Sequence, residues 1–367
     1  MFERKPKLPE GPDLLDRVVS SGCQHLAVLG LHARAGTRTV LSHLVRRIHA
    51  RSWPIAVTSA PRLPLEIEFE HSPNEQPVTR MALPEGACIA TAADTVRSAE
   101  GGLELVEGTS WGTPLGAIGL YRVFRGGEVD LHGPSESDGM AEVLSRLGEQ
   151  SGGLVLVDGG WERRAFAAPG IADGAILVVG SSYSASPERS AAAARYIVET
   201  LTIPPCEEPA RVAWEETAST GAAALLDARG KAIGVLPPGL DDPTRALETL
   251  GKTPVATVVL PHGVNDEFMI PLVRSAFRCS LVVRDATRIN VAPIYFKAWL
   301  KGHGRFQVVR PMKIVAVATN PSNHAGPDAE PAQFRELVAR ALPELPVHDV
   351  VLESGDENRK PAWKFWE

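Results

Sequence analysis

A glycine-bounded segment near the start of the chain carries residue types that could bind phosphate. It runs from Gly30 to Thr39 and reads Gly-Leu-His-Ala-Arg-Ala-Gly-Thr-Arg-Thr. In a phosphate-binding loop, successive backbone N–H groups and the N-terminus of the next helix point at phosphate oxygens. A lysine reaches the outer phosphates and a hydroxyl group holds Mg²⁺. The candidate nucleotide-binding residues are Gly30, Arg34, Gly36, Thr37, Arg38 and Thr39.

This segment departs from the usual phosphate-binding loop (P-loop) at its end. Gly36 is followed by Thr37 instead of lysine, and Arg38 stands where the hydroxyl residue is expected. Gly30 also precedes Gly36 by six positions rather than five. Either Arg38 replaces the lysine and Thr39 supplies the hydroxyl group for Mg²⁺, or the loop binds phosphate without supporting hydrolysis. An ordinary strand-to-helix turn is a third interpretation.

Arginine and lysine are not interchangeable in such a loop. The planar guanidinium group binds phosphate oxygens well, but it does not reproduce a compact ammonium group. We therefore expect ATP and Mg²⁺ as ligands, with slow or absent hydrolysis by this chain.

An acidic residue at the end of a second apolar run could complete the site. Residues 154–158 read Leu-Val-Leu-Val-Asp. In P-loop proteins a strand of this form delivers a carboxylate toward Mg²⁺ at the carboxyl edge of the sheet. Asp158 is therefore a candidate magnesium ligand, together with Thr39. The alternative is that Asp158 caps the segment that follows it.

The elements around the loop predict an α/β fold. Residues 25–30 form a short apolar run, residues 40–50 have apolar side chains at helical spacing, and residues 54–58 form a second run. Such a βαβ unit normally joins two parallel strands by a right-handed crossover. Because similar runs and helical stretches alternate further along, we expect a P-loop-like, mostly parallel sheet flanked by helices, with a second smaller α/β unit.

A proline-rich stretch predicts the boundary between two domains. Residues 203–210 contain three prolines and no apolar periodicity. We expect a P-loop-like α/β domain over 1–202, a linker over 203–210 and a second α/β domain over 211–367.

Composition restricts the class of protein. The 367 residues are 44% hydrophobic and 22% charged, a composition that is typical of a folded globular chain. The formal net charge of −6 does not favour nucleic acid or anionic lipid as a partner. The four cysteines are far apart and give no zinc motif. No apolar run is long enough for a signal peptide or a membrane span, so we expect a cytoplasmic protein.

The order of these motifs resembles the small reactivase subunit of lysine 5,6-aminomutase. The resemblance covers most of the chain, and it continues beyond the proline-rich stretch. The segments that carry it are residues 30–36, 90–91, 113–116, 133–135, 155–159 with Arg163 or Arg164, 168–169, 175–181, 315–321 and 347–351.

The resemblance implies a repair chaperone. Such a subunit would act with a larger reactivase ATPase subunit to release damaged cobalamin from an adenosylcobalamin- and pyridoxal-phosphate-dependent lysine 5,6-aminomutase. The family's loop typically ends in Gly-Lys-Thr or Gly-Lys-Ser, so Thr37 and Arg38 place this chain's own hydrolysis in doubt. The sequence has no Asp-x-His-x-x-Gly motif, and we do not expect the chain itself to hold cobalamin.

Two other functions remain open. A P-loop kinase or ligase would place a small substrate in the second domain, with His262 and Asp266 as a possible base pair, although a lone histidine after an apolar strand is more often a turn residue. A non-catalytic interaction protein with a degenerate nucleotide site is the other alternative.

Overall fold

The computed structural model describes residues 12–32, 34–61, 79–236, 254–275, 277–323 and 327–354. The chain divides into two compact units. The first unit contains residues 1–195 and 313–367, and the second contains residues 196–312.

The first unit is built on a nine-stranded sheet. The strand order is β18-β17-β9-β1-β8-β2-β4-β6-β5, and every pair from β18 to β4 is parallel. The last two pairs, β4 with β6 and β6 with β5, are antiparallel. The large sheet contains β1 (His25–Gly30), β2 (Ile55–Ser59), β4 (Cys88–Ala92), β5 (Gly102–Thr113), β6 (Gly116–Arg125), β8 (Leu154–Gly159), β9 (Gly174–Gly180), β17 (Ile314–Asn320) and β18 (Val347–His348).

Among the described residues, six helices and a two-stranded ribbon accompany this sheet. The ribbon pairs β3 with β7 in antiparallel orientation. The helix α4 runs across the division between the two units. These elements are α1 (Leu14–Ser21), α2 (Thr37–Ala50), β3 (Thr79–Leu83), β7 (Gly127–Leu131), α3 (Ser137–Ser151), α4 (Pro187–Leu201), α8 (Pro331–Ala341) and α9 (Val350–Ser354).

Both faces of the central strands are buried, which explains their unbroken apolar runs. Leu156 packs in one cluster with Leu41 and Leu44 of α2. Its neighbours Val155 and Val157 pack in the other cluster with residues of α3. Because successive side chains of a strand point to opposite faces, α2 and α3 cover opposite sides of the sheet. The structure thus confirms the predicted α/β class and a large, mostly parallel sheet flanked by helices.

The second unit has its own five-stranded sheet, ordered β11-β10-β12-β14-β16. The strands β12, β14 and β16 are parallel, while β10 and β11 are added in antiparallel orientation. A small parallel pair, β13 with β15, accompanies it. Its elements are α5 (Glu208–Thr217), β10 (Ala223–Leu226), β11 (Ala232–Leu236), β12 (Thr257–Val259), β13 (Val264–Asn265), α6 (Asp266–Arg274), β14 (Ser280–Val283), β15 (Ile289–Asn290), α7 (Pro293–Lys301) and β16 (Arg305–Val308).

The predicted domain boundaries need correction. The chain does not stay in the second unit after β16, because β17 pairs with β9 and joins the first sheet. The predicted linker, 203–210, lies inside the second unit: the N–H of Cys206 donates to Val308 O, and residues from Glu208 onward belong to α5. Proline content interrupts the helical pattern here without marking a domain boundary. Among the described residues, no helix is long and apolar enough to cross a membrane.

Candidate functional site

The candidate site lies at the carboxyl ends of β1, β8 and β9. Strand β1 is hydrogen-bonded to β8 on one side and to β9 on the other. The chain leaves β1 for β2 on the β8 side, whereas β9 and β17 lie on the opposite side. In open α/β sheets, ligands bind beyond the carboxyl ends of the strands at the point where successive connections diverge in this way.

The loop between β1 and α2 is a tight turn held on the sheet edge. The N–H of Leu31 donates to Val178 O at 2.9 Å, and the N–H of Ala35 donates to His32 O at 3.2 Å. Ala35 is buried. An ideal Cβ placed on Gly30 would lie 3.1–3.2 Å from atoms of His32, Ala35 and Thr37, so the turn folds closely over that glycine.

Gly36 ends this turn in a backbone conformation that only glycine adopts readily. Its φ is +103°, and it is the N-cap residue of α2. An ideal Cβ at this position would lie 2.5 Å from Nδ2 and 2.9 Å from Cβ of Asn320, which ends β17. The turn therefore needs glycine both for its φ angle and for the close approach of Asn320.

The N-terminus of α2 is open to an anion. In the part of the chain that the structure describes, no side chain caps this end of the helix, and its first turn contains no acidic residue. The N–H groups of Thr39 and Val40 donate to Gly36 O. The remaining N–H groups of the first turn and the positive end of the helix dipole favour a negatively charged ligand here.

The side chains predicted to bind the nucleotide differ in how far they are buried at this end of the helix. Thr37 is half-buried, and its methyl group packs against Gly30. Arg38 and Thr39 are exposed in the first turn, and Arg34 is half-buried with a φ of +63°. No hydrogen bond joins Thr39 to Asp158, and the role of Thr39 as a magnesium ligand stays a prediction.

Asp158 is the penultimate residue of β8, and its buried carboxylate is only partly hydrogen-bonded. Its Oδ2 accepts a hydrogen bond from Thr79 Oγ1 at 3.0 Å, and Thr79 Oγ1 lies 2.8 Å from Ser59 Oγ. Its Oδ1 is buried and has no partner among the described residues. The 3₁₀ helix Trp161–Ala167 begins after Gly160 without a side-chain cap, so Asp158 does not perform the alternative capping role. A buried, unpartnered carboxylate oxygen is costly for stability, which fits a ligand for a cation.

The carboxylate of Asp158 suits Mg²⁺ better than a metal that needs several protein ligands. Among the described residues, no group of three or more His, Cys, Asp or Glu side chains could hold a metal ion. Mg²⁺ in nucleotide sites usually takes one or two carboxylates and completes its shell with water and phosphate oxygens. The unpartnered Oδ1 of Asp158 fits the role of one such carboxylate ligand.

Sequence reasoning missed a histidine–serine pair beside the loop. His32 Nε2 lies 2.9 Å from Ser182 Oγ, which belongs to the 3₁₀ helix Ser181–Tyr183 at the end of β9. The ring of Tyr183 meets the His32 ring edge-on at 5.6 Å. Because His32 and Ser182 are 150 residues apart, no local spacing in the sequence could have revealed the pair.

Burial lowers the pKa of His32 to about 4 from its ordinary value of 6.5. The unfolded chain therefore takes up a proton on this ring at a higher pH than the folded chain does. The stability that neutral His32 contributes is complete above pH 6.5 and is lost as the pH falls toward 4.

We expect His32→Gln to flatten the dependence of the urea unfolding midpoint on pH between 6.5 and 4. Tryptophan fluorescence at several pH values in this window measures that midpoint. The same substitution at the exposed His303, in the second unit, is the matched control. If the midpoint of His32→Gln depended on pH as strongly as that of the wild type, the lowered pKa of His32 would be contradicted.

The structure does not assemble His262 and Asp266 as a catalytic pair. The two belong to the second unit, where Oδ1 of Asp266 accepts a hydrogen bond from the N–H of Ala292 at 2.6 Å. His262 is exposed, and no hydrogen bond joins it to Asp266. This arrangement gives no support to a kinase or ligase site at these residues.

Comparisons with known proteins return no match: no family model, no curated protein and no solved structure is similar to this chain. The family that the sequence motifs resemble therefore stays a prediction.

Proposed function

We propose that this chain binds ATP with Mg²⁺ at the carboxyl edge of β1 and β8, in a P-loop-like fold, and hydrolyses it slowly or not at all. In this proposal it is the small subunit of a reactivase. It works with a larger ATPase subunit to help an adenosylcobalamin-dependent lysine 5,6-aminomutase exchange damaged cobalamin.

One observation carries the nucleotide site: a helix N-terminus without a side-chain cap and a buried, unpartnered carboxylate oxygen lie at the carboxyl ends of two adjacent strands. Gly36 is the N-cap residue of α2, beyond the end of β1, and Asp158 is the penultimate residue of β8, which pairs directly with β1. The helix end would hold phosphate oxygens, and Asp158 would hold the Mg²⁺ that neutralises part of their charge.

The residues in the loop favour binding over hydrolysis. Thr37 occupies the position of the P-loop lysine, and its methyl group packs against Gly30. The side chain of Arg38 is exposed and can swing over a bound phosphate group. A flexible arginine contact from the rim of the site supplies affinity, whereas transition-state stabilisation needs a charge held in position.

Nucleotide binding without hydrolysis can shift the conformational equilibrium of a partner protein in a reactivase. ATP shifts a partner between closed and open states only by the difference in its affinity for the two complexes. If this chain binds ATP without efficient turnover, the larger ATPase subunit supplies the hydrolysis that resets the cycle.

We expect Arg38→Ala to weaken reactivation. Inactivated aminomutase is mixed with both reactivase subunits, ATP and Mg²⁺, and the recovery of activity is followed against ATP concentration. Loss of one charge-assisted phosphate contact, worth about 1.5–3 kcal/mol, raises the ATP concentration for half-maximal recovery by about 10-fold or more.

The matched control is Arg17→Ala, which removes an exposed arginine from α1. It should leave the recovery curve unchanged. Identical curves for wild type and Arg38→Ala would remove this loop from the mechanism, and a failure of the wild-type subunit to promote any recovery would refute the reactivase role.

A further inference from the structure

Ser182 and His32 form a pair with the geometry of an activated nucleophile. The donor–acceptor distance between Ser182 Oγ and His32 Nε2 is 2.9 Å, within the range required for a serine and its general base. Ser182 is half-buried and follows the end of β9.

The surrounding residues hold the pair against the phosphate-binding loop. His32 belongs to that loop. An ideal Cβ on Gly180 would lie 2.9 Å from His32 Cε1 and 3.0 Å from Ala35 Cα. Glycine at this position therefore lets the imidazole ring and the loop lie directly on the end of β9, next to Ser182.

The pair lacks the acidic third member that a serine hydrolase uses. His32 Nδ1 is buried and has no hydrogen-bond partner among the described residues, so no carboxylate stabilises the charged ring. Burial without a counter-charge keeps the pKa of this imidazole at about 4, which makes it a weak base. An uncharged substrate, such as an ester, would bring no negative charge to His32 and would leave its pKa low.

A bound polyphosphate would raise the pKa of His32. A negative charge close to an imidazole ring favours the protonated form and raises its pKa. Phosphate held at the N-terminus of α2 lies in the same loop as His32, so the ligand itself supplies the counter-charge that the chain lacks. The pair is therefore suited to a phosphoryl donor bound in this loop.

We propose that Ser182 accepts a phosphoryl group from the nucleoside triphosphate bound at the loop, with His32 as general base; this inference rests on the nucleotide site proposed above. A bond forms between Ser182 Oγ and the γ-phosphorus, and the bond from the γ-phosphorus to the β,γ-bridging oxygen breaks. The electron pair of the broken bond leaves with the nucleoside diphosphate. The hydroxyl proton passes to His32 Nε2 and then to solvent.

The test measures nucleotide binding and phosphorylation separately on the full chain. Titration calorimetry gives the ATP affinity, and incubation with ATP and Mg²⁺ followed by peptide mass spectrometry locates the added phosphoryl group. We expect modification of Ser182 in the wild type and none in Ser182→Ala. In His32→Gln, the rate should fall about 100-fold or more while ATP affinity is retained.

Ser184→Ala is the matched control, since Ser184 lies two residues along the chain and its Oγ accepts a long hydrogen bond, 3.3 Å, from the N–H of Ser186. It should be phosphorylated at the wild-type rate. ATP binding without phosphate on Ser182 would overturn this inference alone. Equal rates in wild type and His32→Gln would remove His32 as the base, and absence of ATP binding would refute the nucleotide site itself.

Discussion

Replacing Gly36 with alanine is expected to destabilise the first unit by about 2–4 kcal/mol and to abolish ATP binding by the loop. The added methyl group must tolerate a φ of +103° and would collide with the side chain of Asn320. To relieve the backbone strain and the collision, the turn must move away from β17. This movement displaces the N–H groups at the start of α2. Urea denaturation followed by tryptophan fluorescence gives the change in stability, and calorimetric titration gives the ATP affinity.

Gly22→Ala separates backbone strain from the collision. Gly22 has a φ of +71° at the end of α1, but an added Cβ there would meet nothing within 4 Å. We expect this control to lose about 1 kcal/mol of stability and to bind ATP as the wild type does. Wild-type ATP affinity in Gly36→Ala would show that the turn does not form the phosphate site.

Asp158→Asn is expected to weaken Mg²⁺-dependent ATP binding without lowering the free energy of unfolding. The amide oxygen of asparagine can still accept the hydrogen bond from Thr79, while the charge that would hold Mg²⁺ is lost. Outer-shell partners alone account for about 10- to 100-fold in metal affinity, so removal of the ligand itself should cost at least that much. Stability should not fall, because the substitution removes a buried charge with an unpartnered oxygen.

Asp173→Asn provides the matched control at the opposite edge of the same sheet. Asp173 Oδ2 accepts hydrogen bonds from the N–H groups of Gln24 and His25, where β1 begins. We expect it to lose about 1 kcal/mol of stability and to keep its ATP affinity. An equal loss of ATP affinity in both variants, or none in Asp158→Asn, would exclude Asp158 as the magnesium ligand.

The first βαβ unit could be predicted from the sequence because its signals are local. The apolar run of β1, the glycines of the turn and the helical spacing of α2 lie within about one element of each other. The strand β8 and its Asp158 could be predicted for the same reason, since a strand buried on both faces appears as an unbroken apolar run.

The division into units could not be predicted this way. The strand β17 has the same apolar character as β12 or β14, and nothing in its own residues states which sheet it joins. Its pairing with β9 is decided by tertiary packing across more than a hundred intervening residues. The first unit is therefore discontinuous in sequence, which local patterns do not reveal.

The residues that contact the candidate site from elsewhere in the chain could not be predicted from the sequence either. Thr79 supports Asp158 from another strand, Ser182 meets His32 across the sheet edge, and Asn320 covers Gly36 from β17. Serine, threonine and asparagine at the ends of strands are common in loops, so their types carry no specific signal. Tertiary structure brings them together: Ser182 and Asn320 lie at the ends of parallel strands, whereas Thr79 begins a strand of the antiparallel ribbon.

Titration of the full chain with ATP tests the central claim most directly. With Mg²⁺ present, we predict binding with a micromolar dissociation constant, weaker binding when EDTA removes the metal, and no sustained hydrolysis. The absence of binding at millimolar ATP, with or without Mg²⁺, would contradict the nucleotide site and the function built on it.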